Sequence, residues 1–592
     1  MLQLLVILLA FILLFASQKV LFLLFNHAYS EGIGLSDAAS VVWHGLRLDL
    51  TMSCYLMVVP IVVIMVAMLS RKVDLKRVLS WWYAPVALLM SIVFVADAVL
   101  YSFWGAKLDA ADLFYAQNPK DVFASLSLGW ALLGVIVVLV LAAAYFSLLR
   151  WVTPRSVPQR KWWVAVPLMV LLLGADFVGV RGGVGTSTAN PGRAFFSENK
   201  FLNHAALNPF FNMSYSLAKK QVLDQEFQFY SVEEMQQRTA GIFDSHADIA
   251  DTLLNTSRPN IILVIWEGGG RNMVCDDTVA PNYARLRREG VFFDNCYANS
   301  FRTDRGVVSL LSGWPGLPTA SLMKRGDMCR SLPNLAKSLA KAGYHTRFTY
   351  GGDIDFTNMR NYLFEGGFQD IQGDESFSDV PYMASWGADD EFVLDASKGH
   401  PAEPFFHTYL TLSSHEPWQV PYQRLDNMYQ NAFAYTDSCL GVFVERLRKS
   451  EVWDNLLLII VPDHGIPFGE GQWASDVAAA QIPMLWIGGA VRQPKVVECL
   501  MNQSDMAATL LAQLSLPFGD YPFSRNVLSA DTLPAVAIHT FKNGMNLITP
   551  AASTSYECVN NRLVPLTPDD PQQPLAQALL QLVYWRSAQL PR

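Results

Sequence analysis

The sequence carries little charge for a chain of its length. Asp, Glu, Lys and Arg make up 16% of the 592 residues, and the formal net charge is −8. Ordinary soluble domains carry about 25% charged residues. No basic stripe runs along the chain, which argues against nucleic-acid binding. The low charge, together with 52% hydrophobic residues, indicates that part of the chain lies in lipid. We therefore expect a membrane as a partner.

The chain also lacks the cysteine spacings of small metal-binding or redox modules. No CxxC pair or zinc-finger spacing occurs among its seven cysteines. Cys54 falls in a predicted membrane span, and the other six fall in the predicted soluble part. An even number of cysteines in an exported domain permits disulfides, and buried free thiols are an equal alternative. The sequence leaves this choice open.

The first residues lack the basic start and the small-residue cleavage site of a signal peptide. The apolar run is instead long enough for a membrane-spanning helix, which needs about 20 residues. Four segments of similar length and composition follow it. The predicted spans are 1–25, 50–69, 81–103, 127–149 and 162–180. Together they predict an α-helical membrane domain over residues 1–180.

Basic residues orient these spans. The loops after the second and fourth spans are rich in Lys and Arg, which is typical of cytoplasmic loops. These residues are Arg71, Lys72, Lys76, Arg77, Arg150, Arg155, Arg160 and Lys161. The loops at 26–49 and 104–126, and everything after about residue 181, should then face outward. We predict a multi-pass protein of the inner (cytoplasmic) membrane whose catalytic domain is extracytoplasmic.

Charged residues occur near the outer ends of the predicted spans. Asp97 and Asp176 lie inside spans, where a charge is costly, and Arg47 lies just before the second span. Their heights along the helices are similar at about 1.5 Å per residue. We expect Arg47 to approach one of the two acids. The result would be either a structural ion pair or a polar site for a lipid head group.

The rest of the chain reads as an α/β domain. Residues 181–258 form a predicted connector, whose amphipathic stretch 203–222 lies either on the membrane or on the soluble domain. From residue 259, strand-like and helix-like runs alternate, which predicts a mostly parallel sheet covered on both faces. The predicted strands are 260–266, 345–350, 405–413, 456–462 and 483–487, and the predicted helices are 332–342, 429–449 and 504–514. The catalytic domain should cover 259–535, and residues 536–592 should add strands and a helix at 572–587.

Polar residues with the chemistry of a metal site follow two of these strands. Glu267 ends the apolar run after Asn260, and Asp463 and His464 end another such run. Chemistry in open α/β sheets lies beyond the carboxyl ends of the strands. Thr303 precedes a short helical pattern, where a helix N-terminus favours an anion such as phosphate. Oxygen-rich ligands with one His suit Mn²⁺ or Mg²⁺, with Zn²⁺ as an option.

Each of these residues also has a structural alternative. A Glu at a strand end can simply be solvated, and Thr is a common helix N-cap residue. Arg305 can pair with a phosphate or with Asp304, and both remain open. Arg360 can be a surface helix residue.

In their order along the chain, these motifs resemble a known family. Strand-Glu, Thr at a helix start, SSHEPW (413–418), PDHG (462–465) and IPMLWIGG (482–489) are similar to the catalytic domain of lipoteichoic acid synthases and related phosphoglycerol transferases. These enzymes belong to the alkaline phosphatase and sulfatase superfamily. The resemblance covers roughly residues 255–530, and the membrane region has a similar layout.

The resemblance implies roles for individual residues. Thr303 would be the nucleophile, and the metal would be held by Glu267, Thr303 itself, Asp463 and His464. The substrate phosphate would meet His415, which also handles the leaving-group proton. Two further substrate-binding residues are implied. These are Arg360 and Trp386, the latter in a Trp386-Gly387 segment followed by Asp389.

The sequence departs from the sulfatase pattern at the nucleophile. Sulfatases need a Cys or Ser in a C/S-x-P-x-R motif, where this chain has Thr303-Asp304-Arg305. That difference argues against a conventional sulfatase. We expect a transferase that moves a phosphoglycerol-type head group from a phospholipid to an envelope glycan or glycolipid. The alternatives are a phosphoethanolamine transferase, a phosphodiesterase or sulfuric-ester hydrolase, and a non-catalytic protein that keeps the fold.

Overall fold

The structure is a computed structural model of the chain, and it divides into two compact units, Met1–Lys220 and Gln221–Pro591. The finer boundaries predicted at 181, 259 and 536 stay predictions. The described residues are 2–27, 33–104, 107–108, 128–185, 187–197, 199–219, 223–244, 251–381, 383–384, 386–395, 403–467, 475–529, 534–542, 544–559, 562–565 and 570–590. Most of the predicted outward loop 104–126 lies outside this set.

The first unit is built on long apolar helices. Within the described residues, five are long and apolar enough to cross a membrane, which confirms the prediction. They are α1 (Leu2–Phe25), α2 (Leu35–Leu69), α3 (Leu75–Trp104), α4 (Leu128–Val152) and α5 (Trp162–Arg181). Two short helices follow in the predicted amphipathic stretch, α6 (Lys200–Ala206) and α7 (Pro209–Lys219).

Charged side chains inside this unit are paired differently from the prediction. Lys19 on α1 binds Asp49 on α2 with an Nζ–Oδ1 distance of 2.5 Å. Asp97 on α3 forms its ion pair with Lys107 and not with Arg47. Asp176 and Arg47 line the same groove, but no ion pair joins them among the described residues. The expected ion pair of Arg47 is therefore wrong.

The second unit contains a large mixed sheet, as predicted. In the described residues it runs in the order β10-β2-β9-β8-β1-β7-β3-β4, with β11 beside β2. Every pairing is parallel except those of β9, which runs antiparallel to β8 and β2. The strands are β1 (Asn260–Trp266), β2 (Val291–Tyr297), β3 (His345–Tyr350), β4 (Asp370–Gln372), β7 (Phe405–Leu410), β8 (Leu456–Pro462), β9 (Gln481–Ile487), β10 (Lys495–Val497) and β11 (Met501–Asn502).

Helices cover both faces of this sheet. Strand β1 shows why, since its residues are all buried and alternate between two hydrophobic cores. A strand buried on both faces reads as a continuous apolar run. The helices are α8 (Val232–Thr239), α9 (Arg271–Val274), α10 (Pro281–Leu286), α11 (Thr303–Ser312), α12 (Gly326–Cys329), α13 (Leu335–Lys341), α14 (Met359–Glu365), α15 (Asp390–Asp395), α16 (Met428–Arg448), α17 (Val477–Ala480), α18 (Asp505–Gln513) and α19 (Gln573–Ala588).

Smaller sheets complete the unit. The short strands β5 (Met383–Ala384) and β6 (Gly387–Ala388) pair antiparallel near the predicted Trp386 segment. Near the end of the chain, β12 (Ala537–Phe541), β13 (Gly544–Ile548), β14 (Ser553–Val559) and β15 (Arg562–Pro565) form an antiparallel sheet. The final helix α19 matches the predicted helix at 572–587 to within a residue. All seven cysteines of the chain are free thiols, so the structure forms none of the disulfides that the sequence permitted.

Candidate active site

Two neighbouring strands bring the acids of the site together. Strands β1 and β8 pair in parallel, with Trp266 opposite Pro462. The residue that follows each strand is an acid, Glu267 and Asp463, and both are buried. Parallel neighbours end at the same edge of a sheet, so the two carboxylates lie side by side at the edge where α/β proteins place their chemistry.

Thr303 reaches this edge from the start of helix α11. Its Oγ1 donates a hydrogen bond to Glu267 Oε2 at 3.1 Å. The N-cap position of the helix is held by Arg302, and no side chain makes the capping hydrogen bond there. The hydroxyl of Thr303 is therefore directed at the acid cluster, and the N-cap alternative weighed from the sequence is wrong.

Gly306 allows the helix to come this close. A Cβ atom at this position would lie 2.1 Å from the carbonyl oxygen of Asp463, well inside van der Waals contact. The first turn of α11 thus packs directly on the backbone that follows β8. Only a residue without a side chain leaves Thr303 and Asp463 in their present relation.

His464 completes the cluster. Its Nε2 lies 3.4 Å from Glu267 Oε1 and 3.5 Å from Asp463 Oδ2. Its Nδ1 is 3.1 Å from the carbonyl oxygen of Gly465, which fixes the tautomer with the proton on Nδ1 and leaves Nε2 facing the acids. An outer partner of this kind is typical of metal-ligating histidines.

The geometry of the three side chains fits a metal ion. Glu267, Asp463 and His464 each offer a ligand atom, and these atoms lie within 4.8 Å of one another. Asp463 Oδ2 is buried without a hydrogen-bond partner among the described residues. Carboxylate oxygens with one imidazole suit divalent cations such as Mn²⁺, Mg²⁺ or Zn²⁺.

The electrostatics of the cluster also favour a cation. Burial raises the pKa of Asp463, and the negative charge of Glu267 raises it further. Burial lowers the pKa of His464, but Asp463 and Glu267 more than offset this and raise it overall. Burial acts to raise the pKa of Glu267 as well, but the bond and charge of His464 reverse the shift. The acids thus draw a proton onto the imidazole, and a bound cation would displace it.

Polar groups that the sequence analysis missed hold the two acids in place. Thr411 Oγ1 accepts a hydrogen bond from the backbone N–H of Glu267 at 2.9 Å. Ser414 Oγ donates to the carbonyl oxygen of Glu267 at 2.6 Å. Gln503 Nε2 donates to the carbonyl oxygen of Asp463 at 2.6 Å. Ser414 lies in the motif SSHEPW and Thr411 lies just before it, so the motif could have pointed to both residues. Nothing in the sequence points to Gln503.

An aromatic wall stands beside the cluster. The rings of Trp386 and His415 lie 4.7 Å apart between centroids, and the ring of Phe356 lies 5.8 Å from that of Trp386 in an edge-on contact. His415 is among the groups whose electrostatic interaction lowers the pKa of Glu267, after the larger effect of His464, so the imidazole lies within electrostatic reach of this acid. The structure thus brings His415 and Trp386 together, as expected of two residues that would contact one substrate.

The two arginines singled out from the sequence are already paired. Arg305 Nη1 lies 3.4 Å from Asp304, and its Nε donates to the carbonyl oxygen of Leu317 at 3.0 Å. Arg360 binds Asp355 at 2.8 Å and Glu375 at 2.9 Å. Arg305 thus contacts Asp304, one of the two partners that the sequence allowed. Phosphate binding by Arg360 stays a prediction, and its Nε and Nη2 atoms are the ones that the two acids occupy.

Known proteins resemble this part of the chain. Residues 259–516 match the model of the sulfatase family. This match covers less than half of the chain and includes the strands that carry the candidate site. The superfamily resemblance predicted from the motifs is thereby confirmed, and the domain contains Glu267, Thr303, His415, Asp463 and His464.

Curated relatives add the names of transferases. Phosphoglycerol transferase I of Xanthomonas campestris pv. campestris is 26% identical over 314 residues, which is 48% of this chain and 44% of that protein. A lipoteichoic acid synthase-like protein of Bacillus subtilis is 22% identical over 325 residues, 48% of this chain and 51% of that protein. The matched region thus spans about half the length of these relatives.

A solved structure shares the fold. It is a protein of the alkaline phosphatase superfamily from Vibrio parahaemolyticus, with a TM-score of 0.52 and 24% identity. The match covers 62% of this chain and 98% of that chain. This likeness confirms the α/β fold with a mostly parallel sheet that the alternation of strands and helices predicted.

Proposed function

We propose that the chain is a metal-dependent transferase that moves a phosphoglycerol-type head group from a phospholipid to an envelope glycan or glycolipid. The observation that supports this most is the Thr303 hydroxyl, which lies at a helix N-terminus 3.1 Å from Glu267. A hydroxyl beside a candidate metal cluster and a helix N-terminus suits attack on a phosphate. The names of the two curated relatives, a phosphoglycerol transferase and a lipoteichoic acid synthase-like protein, support a phosphoglycerol-type head group.

The metal would be held by Glu267, Asp463 and His464, with Thr303 as a further ligand. Asp463 Oδ2, which has no hydrogen-bond partner among the described residues, and His464 Nε2, which faces both acids, are the donor atoms that fit it. A divalent cation there would neutralise phosphate charge and make the threonine hydroxyl acidic enough to attack. Mn²⁺ or Mg²⁺ suits the oxygen-rich set best, with Zn²⁺ as the alternative.

The transfer proceeds in two displacements on phosphorus. In the first, Thr303 releases its hydroxyl proton to solvent and its Oγ1 forms a bond to phosphorus. The bond from phosphorus to the diacylglycerol oxygen breaks, and that oxygen takes a proton from the imidazolium of His415. In the second, an acceptor hydroxyl attacks phosphorus and the bond to Thr303 breaks. The hydroxyl proton of the acceptor passes to His415, and Thr303 regains a proton from solvent.

The aromatic wall supplies the substrate contacts in this scheme. Trp386 holds the imidazole of His415 by packing against it, and in this scheme it would contact the small head group. Arg360 would bind the phosphate through donors that Asp355 and Glu375 do not use. The long apolar helices are consistent with a lipid donor, because they would anchor the chain in the same membrane that contains the lipid. We place the catalytic domain on the extracytoplasmic side of the inner membrane.

Mass spectrometry of the covalent intermediate tests the proposal. The full chain in detergent is incubated with phosphatidylglycerol or phosphatidylethanolamine and Mn²⁺, quenched in acid and digested. We expect a phosphoglycerol adduct on the Thr303 peptide only with phosphatidylglycerol. Thr303→Ala should lower transfer by roughly 10³-fold or more, and Thr278→Ala, which alters an exposed threonine of the same domain, should not.

Each result separates the candidates. A phosphoethanolamine adduct assigns the chain to phosphoethanolamine transfer. Release of glycerol phosphate to water with no acceptor dependence assigns it to phosphodiester hydrolysis, and cleavage of a sulfate ester assigns it to the sulfuric-ester hydrolases. Normal turnover by Thr303→Ala refutes the covalent mechanism altogether.

A further inference from the structure

A groove of about 780 Å³ opens along the helices of the first unit. Its walls come from α1, α2 and α5, and its lining is mostly Leu, Val, Ile, Met, Ala and Gly side chains. Only four lining residues carry a polar side chain: Arg47, Thr51, Cys54 and Asp176. Apolar walls with a few polar groups in a membrane helix bundle describe a site for an amphiphile.

The groove has the length of an acyl chain. Its lining on α2 extends from Arg47 to Ile61, which is about 21 Å at 1.5 Å per residue. One leaflet of a bilayer contributes roughly half of a hydrocarbon core that is about 30 Å thick. The groove is therefore long enough to hold the chain of one lipid through its whole leaflet.

Arg47 lies at the end of the groove where a lipid carries its phosphate. It precedes the end of α2 at Leu69 by 22 residues, or about 33 Å. The basic turn with Arg71 and Lys72 follows that end, so Arg47 lies at the opposite membrane boundary. A phospholipid in that leaflet has its phosphate at this depth and its chains pointing toward Ile61.

The guanidinium of Arg47 is exposed and available. No carboxylate or other acceptor among the described residues binds it, in contrast to Lys19 and Lys107, which are each paired with a buried aspartate. Arginine presents a fork of donors that matches phosphate geometry, and it is weakly hydrated compared with lysine. An unpaired arginine at the mouth of an apolar groove is therefore a phosphate-binding group.

Asp176 lies too deep in the groove to bind an amine of a lipid head group. It lies within hydrogen-bonding reach of Cys54, which is seven residues further along α2 than Arg47 and thus about 10 Å deeper. When the lipid phosphate is bound to Arg47, the rest of the head group extends toward the water, away from Asp176. The site should therefore recognise the phosphate and the chain and be indifferent to the rest of the head group.

We propose that this groove binds one phospholipid of the leaflet opposite the basic loops, with its phosphate on Arg47 and an acyl chain along α2. A lipid without phosphate, such as diacylglycerol, lacks the group that Arg47 binds and should be released. The inference concerns the first unit alone. It holds or fails independently of the reaction proposed for Thr303, because its test measures binding and not turnover.

Photocrosslinking tests the groove directly. The full chain is held in maltoside micelles, which contain no phosphate, and trace phosphatidylglycerol or diacylglycerol with a diazirine in the acyl chain is added and irradiated. We expect phosphatidylglycerol to label the segment 47–61, and diacylglycerol to label it at least about tenfold less, since a charge-assisted bond to phosphate is lost. Phosphatidylethanolamine should compete with the probe as well as phosphatidylglycerol does.

Matched variants locate the two contacts. Arg47→Ala should lower labelling by about tenfold or more, and Arg47→Lys should restore part of it. Ala175→Trp places an indole in the groove and should also abolish labelling. Two controls should not matter: Arg71→Ala removes a cation beyond the other end of α2, and Val170→Trp adds the same ring to an exposed part of α5 that does not line the groove.

Three results would overturn the proposal. Equal labelling by diacylglycerol means ordinary contact with surrounding lipid only. Unchanged labelling in Arg47→Ala removes the phosphate contact, even if Ala175→Trp still blocks the chain. Equal loss in all four alanine and tryptophan variants, with Arg47→Lys also inactive in binding, shows a general failure of the helix bundle and no groove site.

Discussion

The close approach of α11 to the strand ends makes Gly306→Ala a sharp probe of the candidate active site. The added methyl group would lie 2.1 Å from the carbonyl oxygen of Asp463, 2.7 Å from its carbonyl carbon and 3.0 Å from its Cβ. The first two of these neighbours are backbone atoms of a buried residue, so neither can rotate away. The helix and the segment after β8 must therefore move apart.

The size of that movement follows from the contact. The 2.1 Å separation is about 1.3 Å short of the 3.4 Å at which ordinary contact begins, so the helix start shifts by roughly 1 Å. A misplacement of about 1 Å can cost 10²-fold in rate. Overpacking costs about 1–3 kcal/mol, but alanine gains up to about 1 kcal/mol over glycine in a helix. Stability should thus fall by no more than about 2 kcal/mol while turnover falls about a hundredfold.

The assay compares three quantities in two variants. Turnover of a soluble phosphodiester, the Kd for Mn²⁺ and the thermal unfolding midpoint are measured for Gly306→Ala and for Gly326→Ala. The latter is a matched control, because a Cβ at Gly326 meets nothing closer than Asn361 at 3.6 Å. We expect Gly306→Ala to lose turnover and metal affinity, and Gly326→Ala to lose neither. Wild-type turnover and metal affinity in Gly306→Ala would refute the reasoning, because the helix start would not then position the site.

Three further outcomes follow from buried charges. Asp463→Asn keeps an oxygen for the backbone donors but removes the negative charge. Loss of an outer hydrogen-bond partner of a metal ligand costs roughly 10–100-fold in metal affinity, so loss of this charge should cost more, as measured by titration calorimetry. Unchanged metal affinity would mean that the metal binds elsewhere. Burial and the neighbouring Asp390 raise the pKa of Asp389 to about 7. The free energy of unfolding should therefore fall as the pH rises from about 4 to 7. Asp389→Asn should remove most of this pH dependence, as measured by urea titrations at several pH values. Arg525 binds Asp505 at 2.5 Å, and both side chains are buried. Arg525→Met leaves Asp505 buried without its partner and should lower the free energy of unfolding by about 3–5 kcal/mol. A loss below about 1 kcal/mol in a urea titration would contradict the importance of this ion pair.

The sequence predicted those parts of the fold that rest on local patterns. Strands β1 and β8 read as continuous apolar runs because they are buried on both faces, and each run stops at an acid. The ends of two such runs identify Glu267 and Asp463 without knowledge of how the strands pair. The predicted bounds of β1 and β8 are those of the structure, and the predicted bounds of α16 agree to within a residue.

Long-range contacts had no such signal. Strand β2 (Val291–Tyr297) carries Asp294 and Asn295 in its middle, so its apolar run is broken and it was not predicted. Gly306 reads as an ordinary glycine in a helix, and its need for close approach depends on Asp463, which lies far along the chain. Gln503 is likewise recognisable only once its contact with the backbone of Asp463 is seen.

The length of α2 shows a different limit. The predicted span began at residue 50, whereas the helix begins at Leu35. Hydropathy reports which residues suit lipid, and it does not report where hydrogen bonding along the helix starts. The polar first turns were therefore assigned to a loop. That same extension carries Arg47 and Asp49, one exposed on the groove and the other buried against Lys19.

The position of Thr303 relative to the helix start is a distinction that the sequence could not make. A threonine one residue before a helix would accept a hydrogen bond from the helix backbone, and its replacement by alanine would cost about 1 kcal/mol of stability. In the structure that position belongs to Arg302, and Thr303 is the first residue of α11. Its hydroxyl donates to Glu267 and stabilises no helix terminus. A shift of one residue in the start of the helix thus turns a stabilising side chain into one whose hydroxyl is free for chemistry.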